Sequence, residues 1–353
     1  MTLWKFSQII LCPVSLVFWI YYKFLWRYDL KKNTFLSFIT IIILFLSFAG
    51  CGKNEKTFFS IATGSTGGTY YPVGGALAQI LNQHVPETSA AAQTGNASVA
   101  NCNLIRTHEI ESALAQNNVA YWAYTGTEIF SDEAPAKNVN AIASLYPETI
   151  QIVAKKSSGI KSVYDLKDKR VVVGAPGSGT EIDARKILAA HGLTYDDIKE
   201  DFLDFSGASQ RLKDNQADAA FQTAGFPTSS IIDLSATADI VLVPIDENVM
   251  QELIDENKYY TKAIVPAGTY AGVDQDTPTL NLMAMWIVDA DQPSQLIYKF
   301  TEALWEHRDQ LEKVHDKCKE ITLETALDGL GIPIHPGAEK YYKEVSHPKL
   351  GSL

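Results

Sequence analysis

Two stretches carry residue types at spacings that could do chemistry. The first is Ser60–Leu81, SIATGSTGGTYYPVGGALAQIL. A strand over Phe58–Ala62 leads into a glycine-rich turn, Gly64–Thr69, and then a helix on which Val73, Leu77, Ile80 and Leu81 form one apolar face. Thr66–Thr69 therefore stand at a helix N-terminus, where unpaired N–H groups and the positive end of the helix dipole make a ready anion site. Gly67 and Gly68 permit close backbone approach. Ser65, Thr66 and Thr69 add hydroxyls, and Tyr70 opens the helix. The spacing alone serves equally as a tight strand–helix turn. The second stretch, GAPGSGT at Gly174–Thr180, follows a β-branched run and opens another helix, with Ala184, Ile187, Leu188 and His191 on one face. Gly174 and Gly179 fit the spacing of a triphosphate-binding loop, but Thr180 stands where that loop needs Lys. An NTPase is excluded. An anion-binding helix start made of Ser178, the Gly179 amide and Thr180 remains.

The other residue patterns give no catalytic set, metal site or cofactor loop. There is no G-x-S-x-G, no H-E-x-x-H or other zinc spacing among the seven histidines, and no G-x-G-x-x-G in dinucleotide context. Asp196–Asp197 and Glu200–Asp201 read as a solvated face. Tyr121, Trp122 and Tyr124 fall in a stretch, Val119–Tyr124, that reads as a strand; Trp122 and Tyr124 would then share one face, with Tyr121 on the other.

The elements that must position the two turns alternate. Strands are expected at Ser89–Thr94, Ala141–Tyr146 and Ile150–Lys155, with a helix at Ser98–Arg106. A second unit begins near Lys156, with helices around Ala208–Asn215, Pro227–Ala236 and Asp246–Glu256 and strands at Ala219–Thr223 and Ile240–Pro244. Thr279–Val288 is an uncharged strand, Pro293–Leu330 is helical, and Pro333–Tyr342 closes the chain. This alternation predicts an α/β architecture, and 353 residues predict about two domains.

Charge is unevenly placed. The first 50 residues hold five of the 30 basic residues and one of the 41 acidic ones, so the remainder carries a net −15. That excludes a nucleic-acid or anionic-membrane footprint, though not a small anion held by local dipoles. Two uncharged apolar runs, Phe6–Tyr22 and Thr34–Gly50, precede the soluble part. The second has the anatomy of a secretory signal, with Lys31 and Lys32 ahead of it. It ends Phe48-Ala49-Gly50-Cys51, which resembles a bacterial lipobox with Phe48 in place of the usual Leu; Cys51 is then the lipidated N-terminus. On this reading residues 1–50 are a signal region and 1–29 are surplus, with a true start near Leu30. Export permits a disulfide; Cys102 and Cys318 are either paired or two buried thiols.

Several long segments, in order, resemble the TAXI family, the TRAP-associated extracytoplasmic solute receptors. They are ATGSTGGTYYPVGGALA (62–78), Thr94-Gly95-Asn96-Ala97-Ser98, Asn118-Val119-Ala120-Tyr121, Leu145-Tyr146-Pro147-Glu148, VVVGAPGSGTE (171–181), Asp218-Ala219-Ala220-Phe221 with Gly225-Phe226-Pro227, and Ile334-His335-Pro336-Gly337-Ala338. Asn117 stands where members of that family often have an acidic residue. The resemblance implies a two-lobed periplasmic-binding-protein-like fold of type II. Lobe one would be 57–150 plus 275–345, and lobe two 151–274, with a ligand cleft between them. It implies that Ser65–Tyr70, Asn96 and Ser98 hold a small anionic solute on one lobe, and Ser178–Thr180 with Gln222 on the other. Glutamate, glutamine and related dicarboxylates are the solutes it implies, and TRAP membrane permease subunits the partners. The protein would be a monomeric lipoprotein, without catalysis, cofactor or metal. A binding module that feeds a sensor, and an enzyme on the same scaffold, are the alternatives.

Overall fold

The structure, a computed structural model, describes residues 56–352. Cys51, the apolar runs Phe6–Tyr22 and Thr34–Gly50, and the expectations about signal and start lie outside the described residues. Among the described residues no helix is long and apolar enough to cross a membrane.

Two long antiparallel strands, β4 (Val139–Lys155) and β10 (Thr277–Asp289), run through both halves of the molecule. β10 pairs with β3 (Ser112–Gln116) through Ala284–Val288, and with β9 (Thr261–Val265) through Thr277–Asn281. β4 pairs with β7 (Ala219–Ala224) only through Thr149–Ala154. The remaining strands are β1 (Thr57–Ala62), β2 (Thr88–Gln93), β5 (Arg170–Val172), β6 (Lys199–Asp201) and β8 (Ile240–Leu242). Two lobes result, with one strand order. Lobe one reads β2-β1-β3-β10-β4, and lobe two β6-β5-β7-β4-β8. In each, the first three strands are parallel and the crossover strand is antiparallel to them.

Both faces of each lobe's sheet are covered. On β10, Ala284, Trp286 and Val288 enter one core with Val73, Leu77 and Phe300, while Met285 and Ile287 enter another with Val119 and Ala123. Val171 on β5 and Val173 just beyond it face Ile187 and Leu188, while Val172 faces Leu212 and Ile231. Burial on both faces is why these strands read as continuous apolar runs rather than alternating ones. Each fully buried aliphatic side chain stabilises the fold by roughly 1.5–3 kcal/mol.

Helix α1 (Tyr70–His84) buries Val73, Leu77, Ile80 and Leu81. Helix α2 is Ser98–Arg106, α4 Gly179–Ala190, α5 Phe205–Lys213, α6 Ser229–Ser235, α7 Glu247–Glu256, α8 Ser294–Glu306 and α9 Pro336–Glu344. Three expectations are corrected. Val119–Tyr124 is not a strand but part of helix α3 (Asn117–Thr125). The Asn117 and Asn118 side chains accept from the Asn118 and Val119 amides at 3.0 and 2.8 Å, which satisfies first-turn donors, and Gly126 ends the helix at φ 68°. Trp122 is accordingly buried while Tyr121 and Tyr124 are half-buried, so Trp122 and Tyr124 share no strand face. Ala141–Tyr146 and Ile150–Lys155 are one strand; Pro147 is accommodated beside a register shift at Met283/Met285, where the ladder is already irregular. Helix α8 stops at Glu306, with short 3₁₀ turns at Arg308–Lys313 and Asp316–Glu320 in place of continuous helix. Cys102 and Cys318 are buried free thiols, and burial pushes the Cys102 thiol up to about 12.

Candidate functional site

Each lobe contributes two strand-to-helix turns, and all four helix starts line one cavity of about 40 Å³. β1 leads to α1 through Gly64, Ser65, Gly68, Thr69 and Tyr70. β2 leads to α2 through Gly95, Asn96, Ala97 and Ser98. From lobe two, β5 leads to α4 through Ala175, Ser178, Gly179 and Thr180, and β6 leads to α5 through Asp204 and Phe205. The convergence follows from topology, because parallel strands send their carboxyl ends, and the N-termini of the helices after them, to one edge of the sheet. A cavity of 40 Å³ is room for about three waters. The space is small and opens to solvent on one side.

Hydrogen bonds between the lobes hold this arrangement. Thr69 Oγ1 donates to the Gly225 carbonyl at 3.0 Å. The Gly67 carbonyl accepts from Ser230 N at 3.1 Å, and the Gly177 carbonyl accepts from Val99 and Ala100 at 3.1 and 3.0 Å. Two first-turn donors of α2 are thus satisfied by lobe two. Gln116 Nε2 donates to Asp183 Oδ2 at 2.9 Å, and His315 Nε2 lies 3.0 Å from the Pro227 carbonyl.

Local chemistry sets each turn. Ser178 is the N-cap of α4, its hydroxyl accepting from Glu181 N at 3.2 Å; Asp204 caps α5 by accepting from Gly207 N at 2.8 Å. Ser98 Oγ accepts from Gln116 N at 3.0 Å, and Thr180 Oγ1 accepts from Thr223 N at 3.2 Å, so both hydroxyls keep their protons for another acceptor. Ala97 sits at φ 65°, a conformation rare for a residue with a side chain, and turns the chain sharply into α2. Gly68 packs so closely on Phe205 that a Cβ would lie 3.0 Å from the ring.

Of the twelve residues expected to hold ligand, nine line the cavity: Ser65, Gly68, Thr69, Tyr70, Asn96, Ser98, Ser178, Gly179 and Thr180. Three do not. Thr66 and Gly67 face a separate depression with Ser206, Ser209 and Ser230, because the turn points them outward. Gln222 is wholly buried and its Oε1 accepts from Ser230 Oγ at 2.6 Å; the next residues, Thr223 and Ala224, reach the cavity instead. Gln116, Glu148, Asp204 and Phe205 line the cavity without having been expected there. The only advance signal was Glu148, in the segment Leu145–Glu148.

No lysine or arginine is among the lining residues, so positive potential comes from the four helix N-termini. The acidic side chains that line the cavity are Glu148 and Asp204. Glu148 is buried on β4 and accepts from Tyr70 OH at 2.8 Å. Burial pushes its carboxyl up to about 8, the Tyr70 hydrogen bond opposes this, and nearby Asp183 adds to it. The cavity therefore offers amide and hydroxyl donors together with the carboxyl groups of Glu148 and Asp204, of which Glu148 keeps its proton near neutral pH. Elsewhere, His108, Asp289 and Asp291 form a group with metal-ligand composition. Its Nδ1–carboxylate distances are 2.6 and 3.7 Å, and it lies at the C-terminal end of β10, beyond Ala284, the partner of Gln116.

This architecture is a two-lobed α/β fold whose lobes are joined through the long strands β4 and β10. The chain belongs to the NMT1-like family, which it matches over residues 61–345. Among solved structures it is similar to a protein of Bordetella bronchiseptica RB50 at 14% identity and a TM-score of 0.54, covering 83% of this chain and 99% of that one. It is also similar to the alkanesulfonate-binding protein of Xanthomonas axonopodis pv. citri, at 14% identity and TM-score 0.43 over 82% and 84% of the two chains. A Prochlorococcus marinus protein in complex with methylphosphonate matches at 11% identity and TM-score 0.45, over 83% and 99%.

Proposed function

We propose that the protein is an extracytoplasmic solute receptor of the TAXI type, which captures a small carboxylate or amino acid between its lobes and delivers it to TRAP membrane permease subunits. The observation that carries this reading is the convergence of four helix N-termini, two from each lobe, on one cavity. Lobe one comprises 57–150 plus 275–345, and lobe two 151–274. An anionic group sits against the amides at Thr69–Tyr70, Ala97–Ser98 and Gly179–Thr180, the Gly68 and Ser178 amides being taken by the Ser65 and Ala175 carbonyls. Charge-assisted hydrogen bonds are worth roughly 1.5–3 kcal/mol each, so a few that need both lobes together favour closure. Asp204 favours an amino acid such as glutamate or glutamine over a plain dicarboxylate. Delivery to TRAP subunits, attachment through lipidated Cys51 and a monomeric state follow from the sequence resemblance. The process is capture without bond chemistry.

The test is a thermal-shift screen of carboxylates and amino acids, followed by calorimetry and chemical recovery of the bound solute. A receptor binds one or a few of them and returns them unchanged. Reproducible turnover that is lost on mutating cavity residues would overturn the reading, as would a library in which nothing binds.

A further inference from the structure

Gln116 and Asp183 meet across the cleft in a way that fixes the orientation of the Gln116 amide. Asp183, on α4 of lobe two, is wholly buried. Its carboxylate accepts from Thr223 Oγ1 at 2.8 Å and Tyr260 OH at 2.9 Å, both in lobe two, and from Gln116 Nε2 at 2.9 Å in lobe one. Burial pushes the Asp183 carboxyl up to about 6, and the three donors keep it from rising further, so it is ionised at neutral pH. An ionised carboxylate only accepts, which settles the orientation of the Gln116 amide: Nε2 faces Asp183 and Oε1 faces away. That Oε1 is buried and has no partner in the protein, on a residue that is 2% exposed and lines the cavity. It is wedged against Gly179, where an added Cβ would lie 1.8 Å from it. A buried carbonyl oxygen without a donor is unfavourable until one arrives.

We infer that Gln116 is a specificity-determining residue of the site, whose Oε1 accepts an N–H from the solute in the orientation that Asp183 imposes from the opposite lobe. The inference rests on the cavity being the solute site. The helix N-termini bind the solute's anionic group, and Gln116 reads an ammonium or amide N–H on the same molecule. Asp183 is a positioning residue. It reaches Gln116 only when the lobes are together, so the acceptor is set in the closed form and selectivity is coupled to closure.

The experiment measures, by calorimetry at pH 7 on the detergent-solubilised full chain, the affinities of L-glutamate and glutarate, which share a skeleton and differ in the α-ammonium. If the screen returns another amino acid, it and its counterpart without the amine replace the pair. The wild type is expected to prefer the amine-bearing ligand by about 10- to 100-fold. Asp183→Asn lets the Gln116 amide turn over, and Gln116→Met removes the acceptor at similar length; both should reduce the preference to less than threefold. Because the readout is a ratio of two ligands in the same protein, a loss of fold common to both cancels. Gln116→Met tests the acceptor directly if Asp183→Asn proves unstable. A wild type without preference, or a preference that survives Gln116→Met, would overturn the inference while leaving the receptor reading intact. Binding of no acid in the library would remove the receptor reading and this inference with it.

Discussion

Thr69 and Gly225 are 156 positions apart in the chain, yet the Thr69 hydroxyl donates to the Gly225 carbonyl at 3.0 Å across the cleft. The bond joins the start of α1 in lobe one to the end of β7 in lobe two. It can form only with the lobes together. The Thr69 side chain makes no capping bond to its own helix. Thr69→Val should therefore spare α1 and weaken closure by about 0.5–1.5 kcal/mol, the net worth of one neutral hydrogen bond. Small-angle scattering with saturating ligand would show a larger radius of gyration in the variant, at an unchanged melting temperature without ligand. Equal compaction of variant and wild type would show that this bond does not hold the lobes.

Gly179 tests closure from the other side. A Cβ there would overlap Gln116 Oε1, a group of the opposite lobe, while alanine is a good residue in the first turn of α4. Gly179→Ala should leave lobe two folded, hold the lobes apart and reduce ligand affinity at least tenfold. Adding Gln116→Ala should relieve the overlap and restore compaction by scattering. If the double variant stays as open as the single one, the obstruction lies elsewhere.

Glu148 gives a pH dependence with a definite sign. Its carboxyl is raised from the ordinary 4.5 to about 8, so the folded chain keeps a proton that the unfolded chain releases. Its stabilising contribution is full below about 4.5 and is lost as pH rises toward 8. Asp183, raised from 3.8 to about 6, acts in the same direction over a lower window. The melting temperature of the ligand-free protein should fall between pH 5 and pH 8, and Glu148→Gln should flatten the upper part of that slope. An equal slope in both proteins would remove Glu148 as its source.

Cys51 lies outside the described residues, and its expected role can be tested in cells. Cys51→Ala should block lipoprotein maturation and abolish labelling by a fatty-acid analogue. Undiminished label in the variant would count decisively against the anchor.

The sequence by itself determined what depends on neighbours along the chain. Val73, Leu77, Ile80 and Leu81 specify α1 by their spacing, and the glycines and hydroxyls at Gly64–Thr69 and Gly174–Thr180 specify helix starts. The turns holding Ser65, Gly68, Thr69, Ser178, Gly179 and Thr180 were legible because loop, cap and first helical turn lie within a few residues of one another. The tertiary structure alone decided what meets across the cleft. Glu148 sits within a continuous strand and reaches the cavity through the pairing of β4 with β10 and the packing of Tyr70 on it. Asp204 and Phe205 follow β6, three polar residues with no strand pattern of their own, held there by pairing with β5. Gln116 closes a five-residue strand and acquires its orientation from Asp183, 67 positions away. Thr66, Gly67 and Gln222 have the same residue types as their lining neighbours, and only the direction of the backbone at each position keeps them out. Local periodicity encodes which residues start a helix; which of their atoms face one another is fixed by strand pairing and lobe closure, and these leave no mark on the spacing of residues along the chain.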